Sequence, residues 1–173
     1  MNHIELLKSK EACPEAVEWA KNYPDFKSAW NTCHRGDWML WIAQKLNVDK
    51  RKLTLAKGRC AETVIHLMKD QRSIDAIKAA IAYGNGEIDD TQLKDAADAA
   101  YTATAAYAAD AAAAAAYAAA YAAAAYAAYA AAACTAAAAA AADAAAARKE
   151  NRQKTADICR EILTEEVLNR LRA

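Results

Sequence analysis

Apolar residues recur at steps of three and four along the first ninety positions, the spacing of helices that bury one face. One such stripe consists of Leu53, Ala56, Cys60, Val64 and Leu67. A second stripe consists of Ile74, Ile77 and Ile81. The chain has 4 glycines and 2 prolines, too few for a turn-rich β protein. The pattern predicts an all-α fold, a bundle of short N-terminal helices followed by long alanine-rich helices.

Polar residues and breakers between the stripes predict where these helices begin and end. Pro14 suits the first turn of a helix that ends near Asn22. Gly36 is expected to form a turn, with Asp37 as the N-cap of the next helix, and Asp49 is expected to cap a helix over 50–68. The helix that carries Ile74, Ile77 and Ile81 is expected to end at the Gly84-Asn85-Gly86 turn, and Asp89 with Gln92 resembles a capping box.

Alanine dominates the stretch from residue 96 to residue 147, where 39 of 52 positions are alanine. Alanine has the highest helix propensity, so this stretch is predicted to be helical. A single helix of that length would extend about 78 Å, and a return as a hairpin is favoured over a projecting rod. We expect one all-α domain over 1–173, with a tryptophan-containing region (1–86), an Ala/Tyr-rich region (87–147) and a C-terminal amphipathic helix (148–173).

Four tyrosines of the alanine-rich region fall within an arc of about 120° on a helix. They are Tyr107, Tyr117, Tyr121 and Tyr129. They could pack between helices, or they could form a recognition surface for a partner or a stacked ligand. The methyl-covered side allows close helix approach, so a homo-oligomer formed through the alanine-rich helices is expected.

Alanine-rich helices also raise the possibility of ice binding. Thr91, Thr102 and Thr135 share an eleven-residue phase, but positions 113 and 124 of that series are alanine. Ice binding is therefore a weaker alternative than recognition of a partner or ligand.

Charge and cysteine usage narrow the class of protein. Lys plus Arg equals Asp plus Glu, 22 against 22, so neither a nucleic-acid polymer nor an anionic membrane is an expected partner. Alanine drives membrane insertion weakly, and the N-terminal residues lack a signal-peptide apolar core. The 5 cysteines are irregularly spaced, which favours reduced thiols in a cytoplasm.

No motif in the chain indicates an enzyme, a cofactor or a metal. Phosphate-binding glycine loops and G-x-S-x-G are absent, so a non-enzymatic protein is expected. The paired spacings of structural zinc sites are also absent. The Arg-Gly-Asp tripeptide at 35–37 is explained by a turn and a helix cap. Trp38, Trp41 and Ile42 are interpreted as core residues.

Two motifs resemble the alanine-rich immunity proteins of bacteria and phages. The first is C-x-x-x-x-x-W, with Cys13 and Trp19. The second is W-x-x-C-x-R-G-D-W-M-L-W, from Trp30 to Trp41, and a basic helix and an Ala/Tyr-rich tail follow it. The resemblance implies neutralisation of a toxin or effector by binding.

A second hypothesis is sequestration of a small nucleotide-like signalling molecule between tyrosine rings and basic side chains. Cations are the groups that would contact phosphate or an acidic partner. The candidate binding residues are the four tyrosines of the arc together with Arg35, Lys50, Arg51 and Arg59.

Overall fold

The computed structural model describes residues 2–68, 70–106 and 141–172, with side chains over 2–68, 70–100 and 147–172. Over these residues the fold is all-α, as predicted, with eight α-helices, one 3₁₀ turn and no strand. The helices are α1 (His3–Ser9), α2 (Pro14–Ala20), α3 (Phe26–Thr32), α4 (Gly36–Lys45), α5 (Lys50–Glu62), α6 (Gln71–Asn85), α7 (Asp90–Ala106) and α8 (Ala141–Arg172). Among these described helices, none has the length and apolar character needed to cross a bilayer.

Several helix ends follow the predicted signals. Pro14 begins α2, and the Asp49 carboxylate accepts a hydrogen bond from Lys52 N at 3.0 Å at the start of α5. Gly86 ends α6 in the left-handed conformation, with φ of 83°. The predicted capping box is confirmed, because Asp89 Oδ1 accepts from Gln92 N at 2.9 Å and Asp89 N donates to Gln92 Oε1 at 3.1 Å.

Two predicted boundaries are wrong. Helix α4 begins at Gly36 instead of after it, and the Asp37 carboxylate binds the Arg35 guanidinium instead of capping the helix. Helix α5 ends at Glu62, so Leu67, predicted to continue its buried stripe, is 39% exposed. The Thr63 hydroxyl lies 2.7 Å from Cys60 O, three residues earlier, and 2.8 Å from Asn151 Oδ1 of α8. Its hydrogen bond to the nearby carbonyl competes with continuation of the helix.

The main core forms around α8, which packs against α3, α4 and α5. The buried face of α8 consists of Thr155, Ala156, Cys159, Leu163 and Val167. It meets the buried residues Met39, Leu40, Ala43, Ala56 and Cys60. Burial of these apolar side chains is the main stabilising contribution to this part of the fold.

Helices α5, α6 and α7 pack in sequence order beside this core. Ala61 and Ile77 form a small cluster between α5 and α6, and Ala76 with Ala100 forms another between α6 and α7. Gly58 faces Ile81 and Gly84 faces Leu55 with no room for a Cβ atom. The glycines thus permit a close approach of α5 and α6 that larger residues would prevent.

Candidate functional site

An open apolar pocket of about 630 Å³ lies among α1, α2, α3 and α4. All 4 tryptophans of the chain line it: Trp19, Trp30, Trp38 and Trp41. Small apolar residues such as Ala12, Ala16 and Ala29 make up much of the remaining wall. Because these residues are small, the space between the indole rings stays open. The result is a concave site with aromatic walls.

Helical spacing places the indole rings around one space. Trp38 and Trp41 are three residues apart on α4 and therefore share a face. Trp19, in the last turn of α2, approaches Trp38 with 5.8 Å between ring centres and 59° between ring planes. Trp30 of α3 stacks on Phe26 at 6.1 Å, and its Nε1 donates to Thr164 Oγ1 of α8 at 2.8 Å. The pocket wall is thus attached to the main core.

The Arg35 side chain binds two residues at the start of α4, Asp37 and the pocket residue Trp38. Its Nε and Nη2 donate to the two carboxylate oxygens of Asp37 at 2.8 and 2.6 Å, and its Cζ lies 4.4 Å from the Trp38 ring centre. Glu15 of α2 lies 3.5 Å from Arg35 Nη1. The hydrogen bonds to Asp37 raise the pKa of Arg35. The Arg35 side chain is 14% exposed, so its positive charge interacts mainly with groups of the protein and little with solvent.

The rim of the pocket carries polar groups from α1 and from the loop after it. His3 Nε2 donates to Ala20 O at 3.2 Å and thereby ties α1 to the end of α2. Glu11 adopts a left-handed φ of 65°, a costly conformation for a residue with a Cβ atom. Its Oε2 lies 4.0 Å from Lys45 Nζ, which in turn lies 5.7 Å from the Trp41 ring centre. Both distances are near the outer limit for such contacts.

Arg35 contacts Trp38 and Asp37 but is not itself a lining residue, and the other predicted cations lie away from the pocket. Arg51 lies over the Tyr83 ring at 4.3 Å and donates to Tyr83 O at 2.6 Å and Ile88 O at 3.3 Å. Lys50 pairs with Asp90 and lies 5.3 Å from the same ring. Lys50 and Arg51 are thus brought together at the start of α5. Arg59 pairs with Glu62 at 3.0 Å further along that helix.

Tyr107, Tyr117, Tyr121 and Tyr129 lie outside the described residues, as do the predicted return of the alanine-rich helix and its faces. The proposed roles of these four tyrosines, and of Arg35, Lys50, Arg51 and Arg59, therefore stay predictions.

Three cysteines are buried in the main core, Cys33, Cys60 and Cys159, and Cys33 also lines the pocket. Cys60 Sγ lies 4.0 Å from Cys159 Sγ, which connects α5 to α8. Burial raises the pKa of Cys33 to about 11. The hydrogen bond with Cys60, together with burial, raises the pKa of Cys159. With raised pKa values, Cys33 and Cys159 are neutral thiols at neutral pH, and the three cysteines are arranged as core residues.

The sequence pattern predicts Trp38, Trp41 and Ile42 as core residues, and the structure has Ile42 buried in the main core with Trp38 and Trp41 packed against it, but the pattern does not predict the pocket. The available signal was the clustering of all 4 tryptophans before position 42, next to several alanines. Periodicity shows which residues face inward, but it does not show whether the inward-facing side chains fill the space between them.

No family model, no curated protein and no solved structure matches the chain.

Proposed function

We propose that this protein is a non-enzymatic binding protein of the immunity or anti-defence type, and that it sequesters a small ring-bearing molecule in the tryptophan-lined pocket. The observation that carries the proposal is the pocket, about 630 Å³ and walled by the four indole rings. Ligand sites for small molecules have volumes of roughly 300–1,000 Å³ and mostly apolar, aromatic walls.

The ring geometry supports a flat ligand. Trp19 and Trp38 both line the pocket, with 5.8 Å between ring centres and 59° between ring planes, so the two rings offer it surfaces of different orientation. A planar molecule inserted beside them would bury apolar area and gain offset or edge-to-face contacts. Binding without chemical conversion is what a sequestering protein requires.

The resemblance to alanine-rich immunity proteins is consistent with such a role, and neutralisation of a protein toxin is the second candidate. In that case an apolar or aromatic side chain of the toxin would enter the same pocket. Exposed tryptophan-lined pockets are common centres of protein interfaces. A homo-oligomer formed through the alanine-rich helices would be compatible with either candidate.

Filling the pocket tests the proposal. Ala12 lines the pocket and is half-buried, so Ala12→Phe places a ring inside it while Ala12→Ser leaves it open. Thermal unfolding would be recorded for the parent and both variants against a library of ring-bearing small molecules. A ligand at 100 times its Kd stabilises the folded state by about 2.7 kcal/mol.

We expect compounds that raise the Tm of the parent and of Ala12→Ser to lose most of this effect on Ala12→Phe. Circular dichroism without ligand establishes that Ala12→Phe is folded. Equal shifts in Ala12→Phe would place the ligand elsewhere. A library without any active compound, combined with loss of toxin neutralisation in Ala12→Phe, would favour the protein partner.

A further inference from the structure

Of the Asp, Glu, Lys and Arg side chains, carboxylates alone line the described part of the pocket. They belong to Glu11 and Asp37. Asp37 accepts two hydrogen bonds from Arg35, whereas the ion pair of Glu11 with Lys45 is long, so Glu11 is the carboxylate left to interact with a ligand. An anionic ligand at the rim would bring its charge next to Glu11, which is unfavourable. The wall therefore disfavours phosphate groups and favours a neutral or cationic ligand.

The indole faces already attract cations from the chain itself. Arg35 lies over Trp38 at 4.4 Å, held there by the two hydrogen bonds to Asp37. Lys45 lies over Trp41 at the longer distance of 5.7 Å. The faces of indole rings carry partial negative charge and bind organic cations, and the binding free energy is more favourable where water is excluded.

Lys45 and Glu11 differ from Arg35 and Asp37 in how tightly they are held. The Lys45–Glu11 ion pair spans 4.0 Å, beyond hydrogen-bond length, and the two side chains are 42% and 88% exposed. Glu11 is nevertheless held at the rim by a backbone conformation that glycine would adopt at lower cost. The Trp41 face and the Glu11 carboxylate thus frame a position that the Lys45 ammonium occupies only loosely.

We infer that the pocket selects an organic cation, a flat apolar body bearing a ring-nitrogen or substituted-ammonium charge, whose charge lies between the Trp41 face and the Glu11 carboxylate in competition with Lys45. This inference rests on the proposed small-molecule binding function. It differs from the nucleotide-like ligand suggested by the basic residues of the sequence, since Lys50, Arg51 and Arg59 lie outside the pocket wall.

Three probes with nearly the same bicyclic shape separate charge from shape. They are the cation 1-methylquinolinium, its neutral isostere 1-methylnaphthalene and the anion 1-naphthoate. Affinities would be measured by ligand-observed NMR titration on the full chain. We expect 1-methylquinolinium to bind about five- to tenfold more tightly than 1-methylnaphthalene, and 1-naphthoate to bind most weakly.

Two substitutions at the rim should change the cation affinity in opposite directions. Glu11→Gln removes the carboxylate and is expected to weaken 1-methylquinolinium binding about two- to fivefold. Lys45→Gln removes the competing ammonium and is expected to strengthen it by a similar factor. Neither variant should change the affinity for 1-methylnaphthalene. Glu18→Gln and Lys21→Gln, an exposed ion pair on α2 that does not line the pocket, are the matched controls.

The outcomes separate this inference from the proposed function. Equal binding of the cation and its neutral isostere, or no response to Glu11→Gln and Lys45→Gln, would overturn the inference and leave small-molecule binding in place. Tighter binding of 1-naphthoate would overturn the inference in favour of an anionic ligand. Absence of binding by all three probes would overturn the inference, and the thermal-shift comparison of the parent, Ala12→Ser and Ala12→Phe would then decide whether the pocket takes another small molecule or a side chain of a protein partner.

Discussion

At the scale of single residues, Gly36 shows how one atom determines a helix contact. A Cβ atom at this position would lie 2.5 Å from Thr155 Oγ1 and 2.7 Å from the Thr155 carbonyl carbon. Backbone atoms of α8 cannot move away without disturbing the core. Gly36 therefore permits α4 and α8 to meet, and α4 carries two of the four tryptophans of the pocket.

We expect Gly36→Ala to lower the free energy of unfolding by about 3 kcal/mol, the upper part of the range for overpacked cores. Urea unfolding followed by circular dichroism would measure the change. Gly86→Ala is the comparison, because Gly86 has φ of 83° and nothing within 4 Å of a Cβ atom. Backbone strain alone should cost about 1–2 kcal/mol there. An unchanged midpoint for Gly36→Ala would contradict the close contact of α4 with α8.

At the scale of helices, the basic residues of α5 bind other elements of the same chain. Lys52 pairs with Glu166 of α8 at 2.8 Å, and Lys57 donates to Gln44 Oε1 of α4 at 2.9 Å. Burial lowers the pKa of Lys57. Arg51 joins α5 to Tyr83 O of α6 and to Ile88 O of the segment between α6 and α7. In the sequence these basic residues resemble a solvent-exposed helix face, but in the structure several of them make contacts between helices.

Arg51→Lys should lower the free energy of unfolding by about 1–2 kcal/mol, because one ammonium cannot reproduce the planar guanidinium that binds two carbonyls and covers the Tyr83 ring. Arg59→Lys is the matched control. Arg59 makes an exposed ion pair with Glu62, so its replacement should change stability by less than about 0.5 kcal/mol. Urea unfolding would measure the change in stability of both variants. Equally small changes would show that the Arg51 contacts contribute little to the free energy of unfolding.

At the scale of the molecule, α8 unites helices that are distant in sequence. Cys159 Sγ lies against Cys60 of α5 and 3.7 Å from Gly36 O of α4, while Arg160 Nη1 donates to Cys33 O at 2.6 Å. Packing of α8 against α4 and α5 thus buries three thiols that come from separate segments of the chain.

These three thiols should resist iodoacetamide in the folded protein at pH 8, whereas the exposed Cys13 should react readily. The thiolate is the reactive form, and Cys33, with a pKa of about 11, is almost entirely protonated at that pH. Peptide mass spectrometry would follow each site, with Cys13→Ser as a control for assignment. We expect Cys33, Cys60 and Cys159 to become modified together once guanidinium unfolds the chain. Native-state modification of Cys60 at the rate of Cys13 would show that α8 is not held on the core.

The sequence by itself determined the helical class, several helix ends and most of the residues that face inward. These features depend on interactions within a few residues: propensity, capping at Asp49 and Asp89, and a left-handed glycine at Gly86. Local signals failed at the start of α4. Gly36 begins this helix and faces Thr155 of the distant α8, and Asp37 binds Arg35, two residues away, instead of capping.

Only the tertiary structure decided that the tryptophans, which pack in or against the main core as predicted for Trp38 and Trp41, also surround a pocket. The pocket depends on the packing of α1 to α4, on small lining residues such as Ala12 and Ala16, and on the attachment of Trp30 to Thr164 of α8. Packing of this kind joins residues more than a hundred positions apart. Hydrophobic periodicity describes one helix at a time, so it carries no information about the space left between helices.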